Sequence, residues 1–183
     1  MPEQPVPTDF SAKLLRAKTV EGTSSWAFVI LPKEVSATLP RRGRTGIDGT
    51  LNGHEFQALL EPDGNKSHWL KISGELMEKA GTSFGKVAKF VISPLAQERE
   101  PDAPEDLRKA LASSPESRKT WEATTTIARI DWIHWIESAK QAKTRTKRIQ
   151  DACNMLAEGK KRVCCFDTSG FYSKALSAPK TAD

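Results

Sequence analysis

Five basic side chains fall within nine residues of one stretch of the chain, and no acidic residue interrupts them. With one threonine, this stretch supplies the candidate site residues Lys140, Lys143, Thr144, Arg145, Lys147 and Arg148. A solvated helix face usually mixes charges of both signs. Arginine donates paired hydrogen bonds to phosphate or carboxylate groups, and threonine adds a hydroxyl donor. The residue types therefore predict a surface that binds an anion.

The arrangement of this basic run depends on where a helix begins. If the whole run is helical, Lys140, Thr144 and Arg148 share one face because they are four residues apart. If a helix begins at Thr144, its N-terminal amides add to the anion site. A third interpretation is a solvated face whose lysines pair with acids of the first half of the chain, such as Glu75 and Glu78. The sequence leaves these three arrangements open.

A second basic group lies in a loop between predicted strands and consists of Arg41, Arg42 and Arg44. Trp132 and Trp135 are three residues apart and precede the main basic run. Basic side chains with aromatic neighbours can bind phosphates and stack on bases, so nucleic-acid binding is an alternative function. Tryptophans of an amphipathic helix are, however, more often core residues.

The elements of the first half are short strands separated by turns. Asn52-Gly53 predicts a two-residue hairpin turn between strands over residues 46–51 and 54–60, because both residues accept positive φ angles. Ser73 is a plausible N-cap of a short helix that ends at Gly81. About six strands with short helices predict a small β-barrel, closed or half closed, over residues 8–94.

The second half has helical periodicity. Residues 94–104 are rich in proline and acids, and a linker is predicted over residues 95–103. Helices are predicted over residues 103–113, from Pro115, over about 125–141, and over 144–158 before a stop at Gly159. These elements predict a bundle of three or four helices over residues 104–159 and a loosely ordered tail over 160–183. The fold class is therefore α+β.

Charge and composition limit the function. The formal charge of +5 is uneven, because residues 1–100 carry 13 basic and 12 acidic residues and residues 101–183 carry 15 and 11. An anionic partner should therefore prefer the second half. Three cysteines are typical of a reducing compartment, and no apolar stretch reaches 18 residues. We expect a cytoplasmic protein, and we expect a monomer because one chain supplies all the strands.

No catalytic or metal-binding motif is evident. The three histidines have no ligand spacing with one another or with the cysteines. No phosphate-binding loop, hydrolase elbow or metalloprotease motif occurs. We therefore expect neither a metal nor a cofactor, and enzyme activity is less favoured than binding. His68 is predicted to begin a strand and to bond a turn carbonyl.

Several segments together resemble a known bacterial protein family. The segments Trp26-Ala27-Phe28-Val29-Ile30-Leu31-Pro32, Gly49-Thr50-Leu51-Asn52-Gly53 and His68-Trp69-Leu70-Lys71-Ile72 resemble a small β-barrel family of unknown function, related to the AbrB-type double-split barrel. The helical half is similar to the YdeI/OmpD-associated family, labelled for bacteriocin protection. The matching pieces there are Pro104-Glu105-Asp106-Leu107, Ala110-Leu111, Trp135-Ile136, Ala139-Lys140, Thr144-Arg145 and Arg148-Ile149.

The resemblance covers roughly residues 8 to 160 and implies a fold more firmly than a function. Where such proteins often carry a Pro-Glu pair, this chain has Ala142-Lys143, which makes the stretch more basic. The family label implies a link to protection against bacteriocins or antimicrobial peptides. We therefore expect a binding or accessory protein with a basic helical surface. The alternatives are a nucleic-acid-binding protein, and a small-ligand protein or enzyme with a pocket between barrel and bundle.

Overall fold

The computed structural model describes residues 5–19, 22–163 and 177–182. These residues form two compact units that divide between Glu98 and Arg99, and residues 177–182 belong to the first unit. The first unit is a curled antiparallel sheet and the second is helical, so the α+β prediction is confirmed.

The sheet unit contains seven strands, all paired antiparallel. The strands are β1 (Thr8–Lys13), β2 (Leu15–Thr19), β3 (Gly22–Ile30), β4 (Thr45–Leu51), β5 (His54–Pro62), β6 (His68–Ile72) and β7 (Val87–Pro94). Their order across the sheet is β1-β7-β4-β5-β6-β3-β2. The sequence predicts about six strands, because the rough alternation from Phe10 to Lys18 is typical of one strand where the structure has β1 and β2.

A bend at Leu14 explains both the extra strand and the curl. β1 pairs with β7 and β2 pairs with β3, although only Leu14 separates β1 from β2. The Leu14 amide donates to the Lys86 carbonyl at 2.9 Å, and its carbonyl accepts from the Gly85 amide at 2.7 Å. The two terminal strands of the order are thus one bent stretch of chain. The sheet therefore curls into a half-barrel.

The hairpin between β4 and β5 has the predicted turn. Asn52 has φ 48° and Gly53 has φ 85°, both in the left-handed region that this turn requires. Leu51 pairs with His54 across the turn. This register places Ile47 and Leu51 on the buried face of the sheet.

The core of the sheet unit is built from buried residues of its strands and short helices. On β7, the buried residues Ala88, Phe90 and Ile92 alternate with exposed ones, as expected for a half-buried strand. The Phe10 and Phe90 rings stack with centroids 5.1 Å apart. Two short helices, α1 (Lys33–Ser36) and α2 (Gly74–Lys79), complete this core. Ser73 caps α2 as predicted, because its side chain accepts from the Leu76 amide.

The helical unit contains α3 (Glu105–Ala112), α4 (Pro115–Ala123), α5 (Thr126–Glu137) and α6 (Ala142–Ala157). α6 contacts each of the other three helices. Pro115 occupies the first turn of α4, and Gly159 follows α6 with φ 86°, as predicted. Within the described ranges, none of the helices has the length and apolar character needed to cross a membrane.

The end of the chain returns to the sheet unit. The Lys18 amide donates to the Lys180 carbonyl at 2.7 Å, and the Ala182 amide donates to the Arg16 carbonyl at 2.9 Å. A bridge between Ala17 and Thr181 lies between these two bonds. Residues 177–182 therefore pair with β2. Of the tail that the sequence predicts to be loosely ordered, residues 164–176 and 183 lie outside the described residues.

Candidate functional site

The basic run lies across a helix break. α5 ends at Glu137 and α6 begins at Ala142, so Lys140 lies in the connecting loop. The first hydrogen bond within α6 joins the Arg145 amide to the Gln141 carbonyl at 3.0 Å. The arrangement in which the whole run forms one helix is therefore wrong. α6 begins at Ala142, two residues before Thr144. This is close to the alternative in which a helix begins at Thr144 and its N-terminal amides add to the anion site.

The start of α6 carries cations but no acid. Gln141 is the N-cap residue and makes no side-chain capping bond, and the first turn has no acidic residue. Lys140 and Lys143 are exposed, and neither has an ion-pair partner among the residues that the structure describes. Thr144 is half buried. Lys140 and Lys143 thus lie next to the positive end of the helix dipole.

Arg145 is engaged within the helical unit. Its Nε donates to Asp106 Oδ2 at 2.7 Å, and its Nη2 donates to Asp106 Oδ1 at 3.1 Å. These bonds lower the pKa of Asp106 and raise that of Arg145. The pair joins α6 to the first turn of α3. Both side chains are about a third to a half exposed, so the pair contributes little to stability.

Arg148 and Lys147 also have partners within the unit. Arg148 Nη1 donates to the Trp135 carbonyl at 2.7 Å and to Ser138 Oγ at 3.0 Å. Its guanidinium therefore caps the C-terminal end of α5, where helix carbonyls lack amide partners. Lys147 Nζ lies 2.6 Å from Asp151 Oδ2 on the next turn of α6.

The two tryptophans near the basic run are core residues. Trp132 is fully buried and Trp135 is 4% exposed. Their rings meet edge to face with centroids 6.1 Å apart. Trp132 Nε1 donates to the Lys161 carbonyl at 3.1 Å. Neither ring is available to stack on a base, so the predicted core role is confirmed and the aromatic platform is not formed.

The loop arginines of the sheet unit do not form one surface. Arg44 is buried, and its Nε donates to Glu61 Oε1 at 3.1 Å. Arg41 is paired with Glu98, whose carboxylate also accepts from the Gly46 amide. Arg42 is exposed. These three arginines therefore have different environments, and Arg44 and Arg41 stabilise the loop.

A cleft of about 500 Å³ lies beside this loop in the sheet unit. The residues that bear on its chemistry are Ser36, Arg41, Arg42, Lys66, Ser67 and His68. They come from α1, the loop after it, the β5–β6 turn and the start of β6. Clefts of this size commonly bind small molecules.

His68 and Ser36 form a buried hydrogen-bonded pair that lines this cleft. Ser36 Oγ lies 2.6 Å from His68 Nδ1, and His68 Nε2 lies 3.0 Å from the Gly43 carbonyl oxygen. His68 begins β6 and bonds a turn carbonyl, as predicted. Burial lowers the pKa of His68, although the Gly43 bond and Asp63 act in the opposite direction. The imidazole is therefore neutral near pH 7.

Sequence reasoning missed Ser36 and Lys66 as members of a cleft. Ser36 and His68 are 32 residues apart, and no local pattern joins them. Lys66 has φ 66°, which is uncommon for a residue other than glycine, and only the structure shows this. Over the described ranges, His, Cys, Asp and Glu side chains do not converge in groups of three that would hold a metal ion.

The chain is an α+β protein in which a curled sheet precedes a four-helix bundle with a basic helix start. Residues 100–159 match the family described as Bacteriocin-protection, YdeI or OmpD-Associated. Residues 10–92 match a domain of unknown function (DUF1905). The helical unit therefore matches the YdeI/OmpD-associated family, and the domain of unknown function precedes it in the chain. No curated protein matches the chain.

Proposed function

We propose that the protein is a binding or accessory protein whose helical unit holds an anionic partner at the start of α6. Lys140 and Lys143 supply the charge, and Thr144 with the first amides of α6 supplies further donors. The observation that carries this proposal is a helix start with exposed cations, no acid in its first turn and no side-chain cap.

The electrostatic cost of this arrangement supports the proposal. Cations at a helix N-terminus oppose the helix dipole, at about 0.3–1 kcal/mol each. An anion bound there would interact favourably with both the dipole and the lysines. An anion therefore lowers the electrostatic free energy more at this helix start than at an ordinary one, where acidic side chains already lie.

The remaining basic residues have a supporting role in this proposal. Arg145 holds α6 against α3 through Asp106, and Arg148 holds the end of α5 against α6. Together they fix the loop that carries Lys140. Five of the six predicted residues thus divide into those that contact the anion and those that position the helix. Lys147 has neither role, because it pairs with Asp151 on the same helix.

The wider setting of the proposal is an accessory role in protection against bacteriocins, which the family description suggests. We place this role in the cytoplasm because the three cysteines are typical of a reducing compartment.

Burial raises the pKa of the Cys153 thiol, so this cysteine is a poor nucleophile.

The test is a titration of labelled polyanions with the whole protein. Fluorescence anisotropy is measured with a single-stranded oligonucleotide, a duplex and poly-glutamate, each at two salt concentrations. The oligonucleotides test a phosphate-bearing partner, and poly-glutamate tests an acidic protein segment. We expect binding that weakens as salt rises, because bound counterions are released.

The variant Lys140→Ala/Lys143→Ala isolates the site without removing the ion pair of Arg145 or the hydrogen-bond donors of Arg148. For an oligonucleotide, losing two phosphate contacts should reduce the slope of log K against log salt by about 1.5. The matched control is Lys119→Ala/Lys161→Ala, which removes the same charge from exposed positions elsewhere in the unit. Equal binding by both variants, or no binding of any polyanion at low salt, would refute the proposal.

A further inference from the structure

The cleft of the sheet unit has two cations available for a ligand. Three of its lining residues are cationic and none is acidic. Arg41 is paired with Glu98, whereas Arg42 and Lys66 have no acidic partner within the described part of the chain. Asp63 lies in the same turn as Lys66, but its Oδ1 accepts from the amides of Asn65 and Ser67, both at 2.8 Å.

The turn that carries Lys66 is fixed by several backbone bonds. The Asp63 amide donates to the Ser67 carbonyl at 3.0 Å, and the Asp63 carbonyl accepts from the Ala178 amide at 3.1 Å. The turn holds Lys66 at φ 66°, in the left-handed region. The backbone at Lys66 is therefore ordered before any ligand binds, which lowers the entropic cost of binding.

The buried pair beside these cations has defined donor and acceptor roles. The Gly43 carbonyl can only accept, so His68 Nε2 carries the hydrogen. His68 Nδ1 is then an acceptor, and the Ser36 hydroxyl donates to it. A lone pair of Ser36 Oγ remains, and it can accept from a hydroxyl of a ligand. Leu39 and Pro62 give the cleft an apolar portion.

We propose that this cleft binds a small phosphate monoester that carries a hydroxyl group. A phosphate monoester has a charge of about −1.5 to −2 at pH 7, which matches Arg42 and Lys66 together. A carboxylate would leave one of the two cations uncompensated. The ligand hydroxyl lies against Ser36 Oγ, and its carbon chain lies against the apolar walls. This site is independent of the start of α6.

The test uses the full-length, isotope-labelled protein and three probes. Glycerol phosphate has both the phosphate and the hydroxyl groups, ethyl phosphate lacks the hydroxyl, and lactate replaces phosphate by carboxylate. Nuclear magnetic resonance should show shifts of the amides of residues 36–44 and 63–68. We expect glycerol phosphate to bind more tightly than ethyl phosphate, and lactate to bind least.

Charge removal tests the phosphate contacts. The variant Arg42→Gln/Lys66→Asn should weaken glycerol phosphate binding by about tenfold or more, since it removes two charge-assisted hydrogen bonds. Asparagine tolerates the positive φ at position 66. The control Lys86→Gln/Lys89→Gln removes the same charge from exposed residues outside the cleft and should bind as the wild type does.

The variant Ser36→Ala tests the hydroxyl contact. It should abolish the preference for glycerol phosphate over ethyl phosphate and leave ethyl phosphate binding unchanged. If this variant does not fold, the paired charge variants still decide the proposal. Unchanged binding by Arg42→Gln/Lys66→Asn, lactate binding as tight as that of the phosphates, or no shift in either segment would overturn it.

Discussion

The buried imidazole of His68 should make the stability of the sheet unit depend on pH below about 6.5. Burial lowers the pKa of His68 in the folded protein from its ordinary value of 6.5. In the unfolded chain the imidazole regains the ordinary value. As the pH falls, the unfolded chain therefore binds a proton first, and this stabilises the unfolded state. The contribution of neutral His68 is complete above pH 6.5 and is lost as the pH falls to the folded pKa.

The size of this pH effect follows from the binding of one proton to His68 in the unfolded chain. Between the folded pKa and 6.5, the free energy of unfolding should fall by up to about 1.4 kcal/mol per pH unit. The carboxyl groups of Glu100 and Asp106 also have lowered pKa values, from 4.5 and 3.8. These two carboxyl groups change the free energy of unfolding only at lower pH. The pH dependence above about pH 5 therefore reports on His68.

The assay is urea unfolding at several pH values, followed by the amide signals of β3 and β6. His68→Gln removes the titrating group and keeps an amide donor that can reach the Gly43 carbonyl. The control is His54→Gln, because His54 is an exposed histidine of the same unit. The slope should disappear in His68→Gln and persist in the control. A folded imidazole that titrates at or above its ordinary pKa would refute the reasoning.

Three further predictions concern stability. Gly49→Ala should lower the free energy of unfolding by about 1–3 kcal/mol, because its Cβ would lie 2.6 Å from the Val91 carbonyl oxygen; urea unfolding of the sheet unit checks this. Leu107→Ala should cost about 2–5 kcal/mol, because Leu107 is fully buried; helical circular dichroism during unfolding is the measurement. Arg145→Ala should cost at most about 1 kcal/mol, and less at high salt, because its pair with Asp106 is partly exposed. A loss of several kcal/mol there would contradict a surface ion pair.

The parts of the fold that the sequence predicts correctly are those with local causes. Asn52 and Gly53 form a turn because their own φ angles allow it. Ser73 caps α2 because its hydroxyl reaches an amide three residues later. Pro115 begins α4 because its ring fixes a helical φ and it has no amide hydrogen to leave unbonded. None of these features requires knowledge of the tertiary structure.

The parts that the sequence does not predict depend on distant partners. The spacing of the basic run shows clustered charge, but Asp106, which neutralises Arg145, lies 39 residues away. The bend at Leu14 depends on bonds to Gly85 and Lys86, so local alternation predicts one strand there. The sequence also does not predict the Ser36–His68 pair, because this pair is formed only when α1 packs beside β6.

The pairing of residues 177–182 with β2 makes the sheet unit discontinuous in sequence, with the helical unit inserted between its two parts. During synthesis, the ribosome completes β1 to β7 first. The edge of β2 then has no access to residues 177–182 until the whole helical unit has been made. Over that interval the amides of Lys18 and its neighbours are an open template for pairing with another chain. We therefore expect the segment that closes this edge to prevent such pairing only after the helical unit has been synthesised.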